Sequence, residues 1–303
     1  FKILDTPYDK RDVYEDELNV FPYVNGGLFS NENIEIPKFT ERIRKTLLSN
    51  ASDNFDWSDI SPTIFGAVFE STLNPETRRS GGMHYTSIEN IHKVIDPLFL
   101  NDLKKEFNKI REIKTLRNKR PALEDFQNKI AKLKFFDPAC GSGNFLTETY
   151  ISLRKLENRI LDELQDNMMF EDMGNIIKVS IQQFYGIEIN DFAVKVAKTA
   201  LWIAEAQMWE KTRNRLSSSS KLSDFLPLET YENIFEGSAL STNWEEVLPS
   251  IECSYIIGNP PFVGAMVMTK KQHEDIKEVF EGLKVSGEFD YVTAWYKLAC
   301  DYM

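Results

Sequence analysis

The stretch "FFDPACGSGNFLTETY", residues 135–150, combines an apolar run, a glycine-containing turn and the start of an amphipathic helix. The run within "KFFDPA" predicts a short buried strand. The residues after the turn place Leu146, Tyr150, Leu153, Ile160 and Leu164 on one helical face. Glycines in the first strand-to-helix turn of a doubly wound sheet let the backbone approach a ligand closely. Gly141 and Gly143 therefore predict a ligand-binding turn at the carboxyl end of a first strand.

Short apolar runs alternate with long helical patterns throughout the sequence from residue 133 onward. Further strands are predicted at "FYGIEI" (184–189), "NIFEGSAL" (233–240) and "SYIIGNPPF" (254–262). The helix after the second strand repeats Ala193, Ala197, Leu201, Ala204 and Met208 at helical spacing. This alternation predicts an α/β fold with a doubly wound, mostly parallel sheet.

The sequence upstream of this alternation has short helical patterns and a different composition. A break in "NPETRRSGGMHYTS" (74–87) predicts two units, a helical spacer over 1–80 and a core over 81–303. Residues 86–134 are expected to be helical and are basic, with Lys104, Lys105, Arg111 and Lys119 among the cations. A solvated surface explains such charges better than a phosphate-contacting face does.

Composition excludes several classes of protein. Among 303 residues, 42% are hydrophobic, and no apolar run reaches the roughly 18 to 20 residues that span a bilayer. Three scattered cysteines and three histidines predict no metal site and a reduced, cytoplasmic compartment. The sequence begins with Phe1 and has no export signal, so we expect an internal piece of a longer chain.

The glycine turn also discriminates between cofactors. A nicotinamide fingerprint needs a third glycine where Leu146 stands, and no Gly-Lys-Ser/Thr follows as a P-loop requires. The string "DPACGSGNF" resembles motif I of class I S-adenosylmethionine-dependent methyltransferases, in the form found in amino-methylating DNA methyltransferases. The resemblance implies S-adenosyl-L-methionine as cofactor. It assigns to the cofactor site Asp137, Ala139, Cys140, Gly141, Gly143, Asn144 and Phe145.

The resemblance implies further cofactor residues at the ends of the second and third strands. Glu188, followed by Ile189, is expected to accept the hydrogens of the two ribose hydroxyls. The separation of Glu188 from Asp137 is long, which predicts an extra helix around 162–183. Ser238 stands where many relatives have an acid that faces the cofactor adenine.

The tetrapeptide formed by Asn259, Pro260, Pro261 and Phe262 resembles motif IV of N6-adenine methyltransferases. The Asn259 side-chain oxygen and the Pro260 carbonyl can accept the two hydrogens of an exocyclic amine, which increases the electron density on its nitrogen. Phe262 would stack on a base turned out of the duplex. The chemistry implied is a direct in-line methyl transfer with no covalent enzyme intermediate.

One upstream stretch, "GGMHYTSIENIHKVIDPLF" (81–99), resembles motif X of the gamma-order DNA methyltransferases and assigns Tyr85 and Thr86 to the cofactor. With 21–29, 56–70 and a motif V helix at 287–303, the sequence resembles the methyltransferase region of type IIL fused restriction-modification enzymes and of related phage-defence methyltransferases. Such a region implies a site-specific adenine-N6 methyltransferase of bacterial or archaeal cytoplasm. A nuclease domain upstream and a target-recognition domain downstream would make many of the contacts with double-stranded DNA, and the last strands of the sheet would also lie downstream.

Alternative chemistries are tested by the same residues. Cytosine C5 methylation needs a cysteine after the proline where Phe262 stands, and Cys140 is better explained as a packing residue. The "EIK" at 112–114 is a chance match to a nuclease pattern. Cytosine N4 methylation, methylation of protein glutamine or RNA adenine, and a catalytically silent scaffold remain open.

Overall fold

The structure is a computed structural model that describes only part of the chain. The described residues are Ile3, Thr6, Lys10, Arg11, 38–50, 60–64, Gly66, Ala67, 86–165, 176–216, 231–281 and 289–303. Tyr85, the segment 21–29 and the predicted boundary at residue 80 lie outside them.

A parallel sheet forms the centre of the fold. Its strands are β1 (Phe135–Asp137), β2 (Phe184–Glu188), β3 (Ile234–Glu236) and β4 (Tyr255–Ile256), in the order β3-β2-β1-β4. All four predicted strands are confirmed. Because the strand order reverses between β1 and β4, a crevice opens there at the carboxyl ends of the strands, where doubly wound sheets bind ligands.

Helices and short turns connect the strands and surround the sheet. The helices are α1 (Glu41–Leu48), α2 (Ile88–Ile95), α3 (Asn101–Arg111), α4 (Leu116–Lys132), α5 (Asn144–Gln165), α6 (Asp191–Leu216), α7 (Trp244–Val247), α8 (Lys270–Val279) and α9 (Thr293–Tyr302). A π-helical turn, Asp96–Leu100, joins α2 to α3. Pro97 stands at its first turn, where its missing N–H disturbs the regular helical hydrogen bonding. Three-residue 3₁₀ turns lie at Ile181–Gln183, Ser250–Glu252 and Ala265–Val267.

Two hydrophobic cores lie on opposite faces of the sheet. Phe135 and Phe184 stack with ring centroids 5.2 Å apart and pack with α2 to α6 in the first core. Phe136 and Ile187 point to the other face and pack with α7 to α9 in the second core. Successive strand residues alternate between the faces, so both faces of the sheet are covered, as a parallel sheet requires. The α/β, doubly wound fold class is therefore confirmed.

The apolar helix faces predicted for α5 and α6 are also buried. Leu146 and Leu153 are fully buried, and Ala197 and Leu201 likewise. The small side chains of α6 let α5 approach it closely, which explains the repeated alanines in the sequence of α6.

The segment 162–183, for which an extra helix is predicted, lies partly outside the described residues. The 22-residue α5 extends to Gln165, and the described residues 176–183 contain no helix other than one 3₁₀ turn. The buried Glu157 carboxylate, which is paired with Arg154, accepts the backbone N–H of Lys178 at 2.7 Å and of Val179 at 3.2 Å. These bonds hold 178–179 outside any helix, while 166–175 lie outside the described residues.

Several cations of the basic helical region form ion pairs. Arg111 and Lys119 both contact Glu163 of α5 at 2.6 Å, and Lys129 contacts Glu106 at 2.6 Å. These pairs agree with the interpretation as a solvated surface. Within the described ranges, none of the helices has both the length and the apolarity that a membrane crossing requires.

Candidate active site

The glycine-containing turn that follows β1 forms one side of the crevice. We call residues 137–145 the cofactor turn. Gly141 and Gly143 have φ angles of 54° and 76°, in the left-handed region that favours glycine. A Cβ atom on Gly143 would lie 2.9 Å from the Ala197 Cβ atom, whereas one on Gly141 would meet nothing within 4 Å. The turn is therefore packed against α6 at Gly143 and has open space at Gly141.

Glu188 is the last residue of β2, and its carboxylate forms a hydrogen bond with the cofactor turn. Its Oε2 accepts the Gly141 N–H at 3.0 Å and its Oε1 accepts the Asn190 N–H at 2.8 Å. The side chain is buried, and burial raises the pKa of the carboxyl group while the backbone hydrogen bonds partly oppose the increase. Each carboxylate oxygen has a second lone pair, so Glu188 can accept further hydrogen bonds from a ligand.

Asp137 is more deeply buried than Glu188, and its carboxyl group packs against Gly258 in the loop after β4. Its Oδ1 accepts the Ala139 N–H at 3.0 Å. Burial raises the pKa of Asp137 to about 8, and the charge of nearby Glu188 adds to the increase. A Cβ atom on Gly258 would lie 2.3 Å from Asp137 Oδ1, so only glycine fits at that position.

The loop at the carboxyl end of β4 forms the other side of the crevice. We call residues 258–262 the acceptor loop. Asn259 is exposed, the two prolines are half-buried, and Phe262 is 62% exposed. The Asn259 amide nitrogen donates to Thr86 Oγ1 at 3.3 Å, across 173 residues of sequence. This bond leaves the Asn259 side-chain oxygen as the group that can accept a hydrogen from a substrate.

The other predicted cofactor residues divide into buried and exposed positions. Cys140 and Phe145 lie in the first hydrophobic core, and Asn144 is buried where α5 begins. Burial raises the pKa of the Cys140 thiol well above its usual value, as expected for a packing residue. Ile189, by contrast, is 64% exposed at the end of β2.

The remaining predictions lie beside these residues. Ala139 packs against the second core, and Ser238 is half-buried beyond β3. The Gly237 N–H donates to the Glu188 carbonyl at 2.9 Å, which places Ser238 next to the end of β2. Among the described residues, no group of three or more His, Cys, Asp or Glu side chains could hold a metal ion.

Sequence patterns missed the residues that connect the two sides of the crevice. Asp290 Oδ1 accepts the N–H groups of Val263 at 3.1 Å and Val292 at 3.0 Å, so it holds the chain directly after the acceptor loop. The Trp295 indole N–H donates to the Pro138 carbonyl of the cofactor turn at 3.2 Å. An aspartate just before an aromatic helical run is a helix-start signal, but it does not indicate the contact with Val263.

His92 was also missed, and it connects the helix after Thr86 with the helix after the cofactor turn. Its Nδ1 lies 2.9 Å from Asp96 Oδ1 and its Nε2 lies 3.1 Å from Oε1 of Glu148 on α5. The contact holds α2 against α5. Thr86, two residues before α2, is thereby kept near the crevice.

The strand order, the glycine turn after β1, the acid at the end of β2 and the amide-bearing loop after β4 define a class I methyltransferase fold. The sequence matches the family described as "MmeI, DNA-methyltransferase domain" over residues 111–303. The chain belongs to this family. The predicted resemblance to the methyltransferase region of type IIL enzymes is confirmed.

Individual relatives agree with this assignment. The chain is 39% identical to DNA methyltransferase A of Bacillus subtilis strain 168, covering 100% of this chain and 33% of that protein. It is 27% identical to a putative type II restriction enzyme and methyltransferase of Methanocaldococcus jannaschii, over 86% of this chain and 24% of that protein. A solved structure of the type IIL restriction-modification enzyme MmeI in complex with DNA superimposes with a TM-score of 0.88 at 39% identity. It covers 99% of this chain and 39% of that one, so the chain spans well under half the length of these relatives.

Proposed function

We propose that this chain is the catalytic region of a site-specific DNA adenine-N6 methyltransferase of a bacterial or archaeal restriction-modification or phage-defence system. The arrangement of Asn259 carries the proposal. Its amide nitrogen is engaged by Thr86, and its oxygen remains available at the carboxyl end of β4, beside the switch point of the sheet. An amide oxygen at that place suits the binding of an amine that must present its nitrogen to a methyl donor.

We infer that S-adenosyl-L-methionine binds over the cofactor turn, and the residues present fit it. Space is open at Gly141, and Glu188 beside it has carboxylate lone pairs that suit a ribose diol. The exposed Ile189 offers an apolar surface for an adenine ring, with Ser238 nearby. The cofactor supplies an electrophilic methyl group on a positively charged sulfur.

The acceptor loop would hold and orient the base. The Asn259 oxygen and the Pro260 carbonyl accept the two amine hydrogens, which directs the nitrogen lone pair toward the cofactor turn and stabilises the positive charge that develops on it. Phe262 is exposed and free to stack on the face of an extrahelical base. The two prolines fix the local backbone and donate no competing N–H.

The relatives suggest the setting of this region. MmeI is a restriction-modification enzyme solved with DNA, and the archaeal relative is a putative restriction enzyme and methyltransferase. We therefore propose that the catalytic core over 81–303 works with nuclease and target-recognition domains, and that those domains supply many of the DNA phosphate contacts that dominate affinity.

The experiment is mass spectrometry of nucleosides from cells that express the complete natural polypeptide, either unaltered or with Asn259→Ala. The proposal expects N6-methyladenine, and its loss in the variant but not in the control Asn101→Ala, which changes an exposed asparagine of α3. N4-methylcytosine in its place would reassign the base. Cofactor binding without any methylated nucleoside would favour the silent scaffold, whereas methyl transfer only to RNA or to a glutamine peptide would favour the other acceptors.

A further inference from the structure

The chain directly after the acceptor loop presents apolar side chains to solvent. Met266 is 99% exposed and Val267 is 75% exposed, on the 3₁₀ turn Ala265–Val267, and Phe262 nearby is 62% exposed. Exposed apolar residues scattered singly need no explanation. Three of them within six residues, beside the proposed base site, form one apolar patch.

This exposed turn is braced at both ends. Before it, the Val263 N–H donates to Asp290 and the Val263 carbonyl accepts the Tyr291 N–H at 3.0 Å. Within it, the Val267 N–H donates to the Gly264 carbonyl at 2.9 Å. After it, Met268 packs against the second core. The turn is therefore fixed at both ends, and it exposes the Met266 side chain to solvent.

Positive charge follows the apolar tip. A capping box formed by Thr269 and Gln272 starts α8, whose first two residues are Lys270 and Lys271. Both lysines are exposed, and neither is ion-paired with a carboxylate in the described part of the chain. The start of a helix carries partial positive charge and favours acids, so two lysines there weaken the helix unless an anion is bound. This local charge contrasts with the net charge of −11 of the whole sequence.

We propose that Met266 is a wedge that enters the DNA duplex where the target base has left the stack, while Lys270 and Lys271 contact the flanking phosphates. The inference rests on the proposed function and extends it to the duplex around the target base. Taking a base out of the stack costs free energy, and apolar side chains inserted between base steps are a known way for proteins to stabilise distorted DNA. Met266 lies four positions after Phe262, so their Cα atoms are at most about 14 Å apart, whereas base pairs are spaced about 3.4 Å apart. Met266 therefore lies within a few base-pair spacings of the side chain proposed to stack on the flipped base, close to the gap that this base would leave.

The test compares two duplexes with the complete natural polypeptide, after the methylated site has been identified in cellular DNA. One duplex has the target adenine in a normal pair, and the other has it opposite an abasic site, where flipping costs less. Met266→Ala should lower kcat/KM about 10-fold on the paired duplex and less than about 2-fold on the abasic duplex. The double substitution Lys270→Gln with Lys271→Gln should weaken DNA binding and reduce its salt dependence by about two phosphate contacts.

The matched control is Ile251→Ala. Ile251 is 95% exposed in the turn Ser250–Glu252, which precedes β4 and so lies at the opposite end of this strand from the acceptor loop, and its substitution should leave activity on both duplexes unaffected. An equal loss of kcat/KM on both duplexes for Met266→Ala would overturn the wedge and indicate that Met266 contacts another part of the polypeptide. No loss on either duplex would also overturn it. Absence of N6-methyladenine with the unaltered, folded protein would refute the proposed function itself, so the two failures are distinct.

Discussion

The cofactor turn and the acceptor loop face each other across one crevice, yet they are built in opposite ways. In the cofactor turn, Asp137 is 1% exposed and accepts the Ala139 N–H, and Glu188, which is 7% exposed, accepts the Gly141 N–H. In the acceptor loop, Asn259 and Phe262 are exposed to solvent. Under the proposed function, the protein would form the cofactor side of the site in advance and leave the acceptor side for the substrate to complete.

The two sides are nevertheless held by one short segment, residues 290–295, which leads into α9. Asp290 holds the chain after the acceptor loop, and Trp295 donates to the cofactor turn through the Pro138 carbonyl. The short segment from Asp290 to Trp295 therefore contacts the cofactor turn and the residue directly after the acceptor loop. Substitutions on each side should therefore have separable effects on cofactor binding and on methyl transfer.

Asn259→Ala should produce the largest effect. Removing the amide oxygen that stabilises developing charge should lower the single-turnover rate of DNA methylation about a thousandfold. Calorimetric titration with S-adenosylhomocysteine should give a nearly unchanged affinity, because the Asn259 side chain donates to Thr86 Oγ1 and not to the cofactor turn. A parallel loss of cofactor affinity would show that the two sides are not independent.

Glu188→Gln should have the next largest effect, and this effect should be on cofactor binding. Hydrogen bonds to a charged group contribute about 1.5 to 3 kcal/mol, so the affinity for S-adenosylhomocysteine should fall about 10- to 100-fold. Glu236→Gln is the control, because Glu236 is an exposed acid at the end of the neighbouring strand. Equal affinities for the two variants, each shown to be folded by circular dichroism, would remove Glu188 from the cofactor site.

Asp290→Ala should lower kcat about 10-fold without changing cofactor affinity, because it frees the chain after the acceptor loop from the N–H···O bond to Val263. Asp290→Asn should restore activity, since an amide oxygen can accept the same two N–H groups. A merely structural role would instead lower the melting temperature and cofactor affinity together. Comparison of kcat, affinity and melting temperature for the two variants distinguishes these cases.

Asp137→Asn should reduce the pH dependence of the free energy of unfolding by up to about 1.4 kcal/mol per pH unit, without a direct effect on methyl transfer. The folded-state pKa of about 8 lies above the usual 3.8, so between these values the folded protein retains a proton that the unfolded chain loses. The free energy of unfolding should therefore fall as pH rises from about 4 to about 8 in the unaltered chain, and less steeply in the variant. Urea denaturation at pH 6 and 7 tests this, with the exposed Asp191→Asn as control. Equal slopes for the unaltered chain and Asp137→Asn would contradict the raised pKa.

Local sequence patterns predicted much of the fold and of the candidate site. The four strands and the buried faces of α5 and α6 follow from the spacing of apolar residues. An element that buries one face has apolar residues at its own structural period. The positive φ angles at Gly141 and Gly143 follow from a strand-to-helix turn that few other residues can adopt. In the Asn-Pro-Pro-Phe box, the two prolines themselves restrict the backbone φ angles.

Only the tertiary structure decided which distant residues meet. It brings Thr86 to Asn259, Asp290 to Val263, and Asp137 so close to Gly258 that no side chain fits there. It also brings the buried Glu157 carboxylate to the backbone N–H groups of Lys178 and Val179, which lie outside any helix. The physical reason is common to all of these contacts. Periodicity and turn chemistry act over a few residues, whereas the pairing of polar groups across the crevice depends on strand order and helix packing that no short pattern encodes.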